Sequence, residues 1–282
     1  MAALCDLHTH SYYSDGSFSP SQLLEKACET GISAVALTDH NCVSGLPEFM
    51  EAAEAFPVEA VPGVEFSTEY RGVELHILAL FVAPEYYPDI KVRLEDFRIR
   101  KERSNLELVD RLIAAGIPLD YDTLSRMGKD SYINRAHIAQ ELTRLGYTAS
   151  VQEAFKTYLR PGGGFYTPPV RPDAYETIRF IKSIGAVAVL AHPFLNLEEE
   201  QLRQFLPEAV SCGLDAMEVL YPKYTPETTA LAGKIAEEYG ILPSGGSDFH
   251  GAAKPDIQLG FGRGELRVPM SVLADLKGRK KL

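Results

Sequence analysis

Residues 4–40 read LCDLHTHSYYSDGSFSPSQLLEKACETGISAVALTDH, and their patterning sets the fold class. LCDLH (4–8) is a short apolar run of the kind that forms a buried strand. In SPSQLLEKACETG (19–31) the apolar spacing changes to three and four. There Ser19 is placed to cap a helix, Pro20 to open it and Gly31 to end it. AVALTDH (34–40) returns to small and branched apolar residues, a second strand. Strand, helix and strand in this order predict a parallel sheet covered by helices.

The alternation continues. AVPGVEFS (60–67) and ELHILALFV (74–82) are strands separated by YRG (70–72), a turn that suits a hairpin. AVAVLAHP (186–193), DAMEVLY (215–221) and ILPSGGSDFH (241–250) each follow a helical pattern such as YETIRFIKSIG (175–185). Between about Leu94 and Val170 the strands stop. RLEDFRIRKERSNLELVDRLIAAG (93–116), INRAHIAQELTRLGY (133–147) and VQEAFKTYL (151–159) read as helices, and PGGGFYTPPVRP (161–172) leads back. The expected organisation is an α/β domain or barrel, residues 1–93 and 171–282, interrupted by a helical insertion at 94–170.

Composition narrows the class. The chain has 282 residues, 45% hydrophobic and 24% charged, enough for a sizeable core. A net charge of −11 argues against non-specific binding of duplex DNA, which needs clustered positive charge. No leader pattern and no membrane-spanning apolar run stands out. The four cysteines are far apart with no CxxC, so reduced thiols and a cytoplasmic location are expected.

Six of the seven histidines fall at or near strand ends. In a barrel of parallel strands the C-terminal strand ends form one face, and that face holds the active site. His8, His10, His40, Glu65, His76, His192, Asp248 and His250 would therefore converge. His8 and His10 are alternate residues of one strand and share a face. Imidazoles and carboxylates without cysteine suit Zn, Mn or Fe in a hydrolytic centre. There are ligands enough for two or three divalent ions, and two ions about 3.5–4 Å apart can clamp a phosphoryl group.

DLHTHSYYSDG (6–16), ALTDHN (36–41), PGVEFS (62–67), LHILAL (75–80), LAHP (190–193) and GGSDFHG (245–251), in this order, resemble the PHP (polymerase and histidinol phosphatase) family. The resemblance implies a distorted (β/α)7 barrel with a three-metal centre. One ion would take His8, His10, Glu65 and Asp248, a second Glu65, His76 and His192, and a third Asp15, His40 and His250. It also implies hydrolysis of a phosphate ester by a metal-activated hydroxide, with His192, His250 and Asp248 as the catalytic set. The insertion resembles that of the stand-alone branch acting on nucleotides and short RNA. Arg135 and His137 of NRAHIAQEL would then contact phosphate, and Tyr166 would stack on a base or bond a phosphate. The expected substrates are 3',5'-bisphosphate nucleotides or the 5' ends of RNA, a nucleotide or short single-stranded oligonucleotide. The alternatives are histidinol phosphate phosphatase, an amidohydrolase and a non-catalytic metal-binding module. The insertion disfavours the first, the lack of a strand-end lysine the second, and the full ligand set the third.

Four features stay secondary. Asp39 orients an imidazole or caps the next segment. Glu218 reads as a polar residue at a barrel end. Ser244, Gly245 and Gly246 offer a phosphate access to backbone. The cluster Arg98, Arg100, Lys101 and Arg103 reads as a solvated helix face.

Overall fold

The computed structural model describes residues 3–127 and 133–280. Its sheet has eight strands: β1 (Leu4–Thr9), β2 (Ala34–Leu37), β3 (Glu59–Tyr70), β4 (Val73–Leu80), β5 (Val187–Ala191), β6 (Ala216–Leu220), β7 (Leu242–Gly245) and β8 (Val268–Pro269). They are ordered β7-β6-β5-β4-β3-β2-β1-β8. The extra strand relative to the seven expected is β8, two residues antiparallel to the start of β1. The sheet curls into a nearly closed barrel. The segment after β7 closes it, with His10 N donating to Phe249 O and Asp248 N to His8 O, both at 2.9 Å.

The sheet is not wholly parallel. β3 and β4 form the hairpin that YRG allows, and β4 runs antiparallel to β5 as well. The reversal carries the early residues of β4 to the face where the parallel strands end. His76 thus pairs with Ala191, the last residue of β5.

Helices cover the barrel: α1 (Pro20–Thr30), α2 (Leu46–Ala53), α7 (Ala174–Ser183), α8 (Glu199–Ser211), α9 (Pro226–Glu238) and α10 (Met270–Lys277). α1 has the expected ends. Ser19 and Gln22 form a reciprocal capping box, and Gly31 closes the helix with φ of 76°. Strand residues alternate between two cores. Val187, Val189 and Ala191 of β5 face an inner cluster with Cys5, Leu7 and Leu78. Ala188 and Leu190 face the helices.

The insertion contains α3 (Tyr87–Ala114), α4 (Tyr121–Ser125), α5 (Arg135–Arg144) and α6 (Val151–Thr157). Leu108, Val109 and Leu112 of α3 join Leu124, Ile138, Leu142 and Tyr166 in a separate apolar core. The start of α3 belongs elsewhere, because Ile90 and Leu94 pack in the barrel cluster. One helix therefore spans both units. Among the described residues no helix is long and apolar enough to cross a membrane.

Candidate metal centre

Every polar side chain named from the strand ends reaches one place. Glu65, fully buried on β3, lies at its middle. Its Oε2 is 3.2 Å from His8 Nε2, 3.2 Å from His10 Nε2 and 2.9 Å from His40 Nδ1. Its Oε1 is 2.8 Å from His76 Nδ1 and 3.3 Å from His192 Nε2. Asp15 Oδ1 is 3.3 Å from His250 Nε2 and 3.9 Å from His10 Nδ1. Asp248 Oδ1 is 3.5 Å from His10 Nε2 and 3.8 Å from His8 Nε2.

Backbone irregularities aim these groups. β1 has a register shift between Asp6 and Thr9, and Cys5 and Leu7 pack together in the inner cluster. His192 and Asp248 adopt φ of 30° and 56°, strained conformations for non-glycine residues. The sharp turns swing both side chains inward over the barrel mouth.

Electrostatics keep the carboxylates ionised. Burial opposes their charge, but His250 and His40 hold Asp15 well below the usual carboxylate range. His40, His8 and His76 do the same to Glu65, and Lys254 and His250 to Asp248. Burial, with His250 and His40 alongside, pulls His10 down to about 4. Burial would lower His76 too, but Glu65 and Glu74 raise it to about 9.

The donor set fits divalent cations. His8 Nε2, both ring nitrogens of His10, His40 Nδ1, Asp15 Oδ1 and Glu65 Oε2 are buried without a hydrogen-bond partner. Buried polar atoms are rarely left so, and here they point at one another. Three groups lie within ligating reach: His8, His10 and Glu65; His40, Glu65 and His76; and His10, Asp15, His40 and His250.

A cavity of about 360 Å³ opens beside the centre, between the barrel and the insertion. Asp15, His40 and His76 line it from the barrel, and Lys101, Arg135, Tyr166 and Arg171 from the insertion side. The Arg135 guanidinium lies 4.4 Å from the Tyr166 ring centroid. His137 does not line this cavity: it is buried, and its Nδ1 accepts from Asn134 N at the start of α5. Of the basic cluster of α3, Arg98 and the partly buried Lys101 line the cavity, so the cluster is not wholly a solvated face.

Several other secondary readings are corrected. Glu218 is fully buried; His8 Nδ1 donates to it at 2.9 Å and His192 N at 2.6 Å, so it orients the His8 ring and holds the backbone at His192. Asp39 neither touches an imidazole nor caps a helix. It accepts from Ser11 N, Ser11 Oγ and Ser14 Oγ at 2.8, 2.6 and 2.7 Å, bracing the loop that carries Asp15. Ser244, Gly245 and Gly246 are buried in barrel packing, and a Cβ on Gly246 would lie 2.4 Å from His8 Cβ.

Further groups were not foreseen. Asp6 accepts from Ser247 N and Gly260 N at 2.8 and 2.7 Å and fixes the loop before Asp248. Tyr221 Oη and Lys254 Nζ donate to Asp248 Oδ2 at 2.8 and 2.7 Å, leaving Oδ1 to face the imidazoles. A lone carboxylate inside an apolar strand, as in LCDLH and DAMEVLY, was the available signal, since such groups stay buried only when paired.

The sequence pattern of the PHP domain matches residues 6–114. A 5'-3' exoribonuclease of Haemophilus influenzae is 32% identical over 246 residues, 87% of this chain and 89% of that protein. A phosphoribosyl 1,2-cyclic phosphate 1,2-diphosphodiesterase of Eggerthella lenta is 33% identical over 268 residues, 94% of this chain and 98% of that protein. The chain belongs to the PHP family. A solved structure from Bifidobacterium adolescentis, described as a candidate metal-dependent phosphoesterase, matches this PHP chain with a TM-score of 0.88. That match has 29% identity and covers 100% of this chain and 98% of the other. Both sequence relatives are named for breaking phosphoester bonds, and this PHP protein is a hydrolase of that class.

Proposed function

We propose that the protein hydrolyses a phosphoester of a ribose phosphate that carries a second phosphate, such as a 3',5'-bisphosphate nucleotide or the 5' end of RNA. The observation that carries this reading is the placement of two unlike anion sites side by side. One is the imidazole–carboxylate centre, and the other is the cavity lined by Lys101, Arg135 and Arg171. Its volume suits a nucleotide-sized ligand and is far too small for a duplex.

In this reading His8, His10, Asp15, His40, Glu65, His76, His192, Asp248 and His250 hold two or three divalent ions, of Mn, Zn or Fe. Such ions neutralise the transferring phosphoryl group and supply a nucleophile at neutral pH by acidifying water. Glu65 divides its two oxygens between the His8/His10 side and the His76/His192 side. Glu218 fixes the His8 ring and the backbone at His192, and Tyr221 and Lys254 fix Asp248. His192, His250 or a water on the bound metal would supply the proton to the leaving oxygen. The insertion, residues 94–170, and the returning loop supply the recognition groups. Arg135 and Arg171 grip the second phosphate, and Tyr166 backs the Arg135 guanidinium and offers a ring to a base.

The test compares a 3',5'-bisphosphate nucleotide with an aryl phosphate in wild type and Arg135→Ala. Losing one fully buried charged contact costs on the order of 2–5 kcal/mol, and the Arg135 side chain is 22% exposed, so the expected loss is at the low end of that range. The loss is expected in kcat/KM for the bisphosphate and is expected to be small for the aryl phosphate. Equal losses on both substrates would refute the two-site reading.

A further inference from the structure

Glu74 stands between the two sites. It lies on β4 two residues before His76, so both side chains project from the same face of the strand. Its Oε1 is 3.4 Å from His76 Nε2, while His76 Nδ1 faces Glu65 at 2.8 Å. Its Oε2 accepts from Arg171 NH2 at 2.7 Å and lies 3.8 Å from Arg135 NH2. One carboxylate is thus shared between a centre imidazole and the two guanidinium groups of the cavity. The Arg171 side chain is only 7% exposed, and its Nε is buried without a hydrogen-bond partner, a spare donor in the cavity wall.

We propose that Glu74 is a positioning residue that couples the anion pocket to the metal centre, so that filling the pocket tightens cation binding at Glu65 and His76. The proposal rests on the two-site reading above and adds a link between the sites. A carboxylate on the outer nitrogen of a ligating histidine fixes the ring and raises its basicity. Arg171 and Arg135 draw on that same carboxylate and weaken its hold on His76. An anion in the pocket satisfies the guanidinium groups in its place. Glu74 then acts on His76 with more of its charge. By reciprocity, a filled centre strengthens anion binding by the same factor.

The test needs no substrate. Chelator-stripped protein is titrated with manganese by equilibrium dialysis in wild type, Glu74→Gln, Arg171→Met and the double variant. Glu74→Gln is expected to weaken manganese binding by about tenfold or more, the scale for losing such a partner. Glu74→Asp, which keeps the charge, recovers part of the loss. Arg171→Met is expected to tighten manganese binding in the wild-type background and to leave it unchanged in the Glu74→Gln background. The non-additivity separates a relay through Glu74 from a through-space effect of one lost positive charge. Wild-type manganese affinity in Glu74→Gln, or an equal effect of Arg171→Met in both backgrounds, overturns the proposal. Arg171→Met is also a second variant should Glu74→Gln fail to fold: unchanged affinity in that protein alone overturns the coupling. Such failures leave the substrate comparison with Arg135→Ala untouched, so the two readings fall separately.

Discussion

Glu65 is a carboxylate with no exposed surface, tolerated because five imidazoles face its two oxygens. Replacing it with glutamine keeps the shape and removes the charge that bridging needs. Glu65→Gln is expected to lose bound metal and phosphate release together while keeping its circular dichroism spectrum; metal analysis and a phosphate assay check this. Glu218→Gln is expected to fold and to bind metal about 10–100-fold more weakly, because the His8 ring loses its orienting anion. Dialysis against manganese measures it. The centre was legible at this scale because its groups sit at strand ends and, for His8 and His10, at a spacing of two. Glu218 and Asp6 were not, because one carboxylate in an apolar strand has no partner in sequence. His137 was read as a phosphate contact from its place beside an arginine at a helix start, and the sequence did not show that its Nδ1 accepts from Asn134 N.

At the scale of elements, the strands and α1 were readable from apolar period and capping residues. The reversal of β4 could be read only as an allowed hairpin, since neither periodicity nor composition records strand direction. That reversal is what delivers His76 and Glu74 to the working face. The loop after β1 is a second such case, because its shape comes from Asp39, far along the chain. Asp39→Ala frees Ser11 and Ser14, which brace the loop that carries Asp15, and is expected to lower metal content in part rather than wholly. Metal-to-protein ratios check this, and unchanged content refutes it. The join of β7 to β1 admits no side chain. Gly246→Ala forces a methyl group against His8 and is expected to destabilise the fold by about 1–3 kcal/mol, read as a lower Tm.

For the molecule as a whole, α3 is the shared member of two apolar cores. The insertion was legible as helices without strands, but its seam with the barrel was not, because one continuous helix carries no break in pattern. Leu112→Ala opens a cavity in the insertion core alone and costs about 2–5 kcal/mol there. It is expected to raise KM for a bisphosphate nucleotide and leave metal content unchanged; loss of metal would show that the two cores are not separable. The closing of the barrel by residues 246–250 also has a consequence in time. β1, carrying His8 and His10, is synthesised well before the segment that carries Asp248 and His250. Until residue 250 is made, the His10 edge of β1 lacks its partner segment and two of the nine candidate ligands are missing. A product stalled before residue 246 lacks the segment that closes the barrel and is therefore expected to release no phosphate at all, rather than to be merely less active.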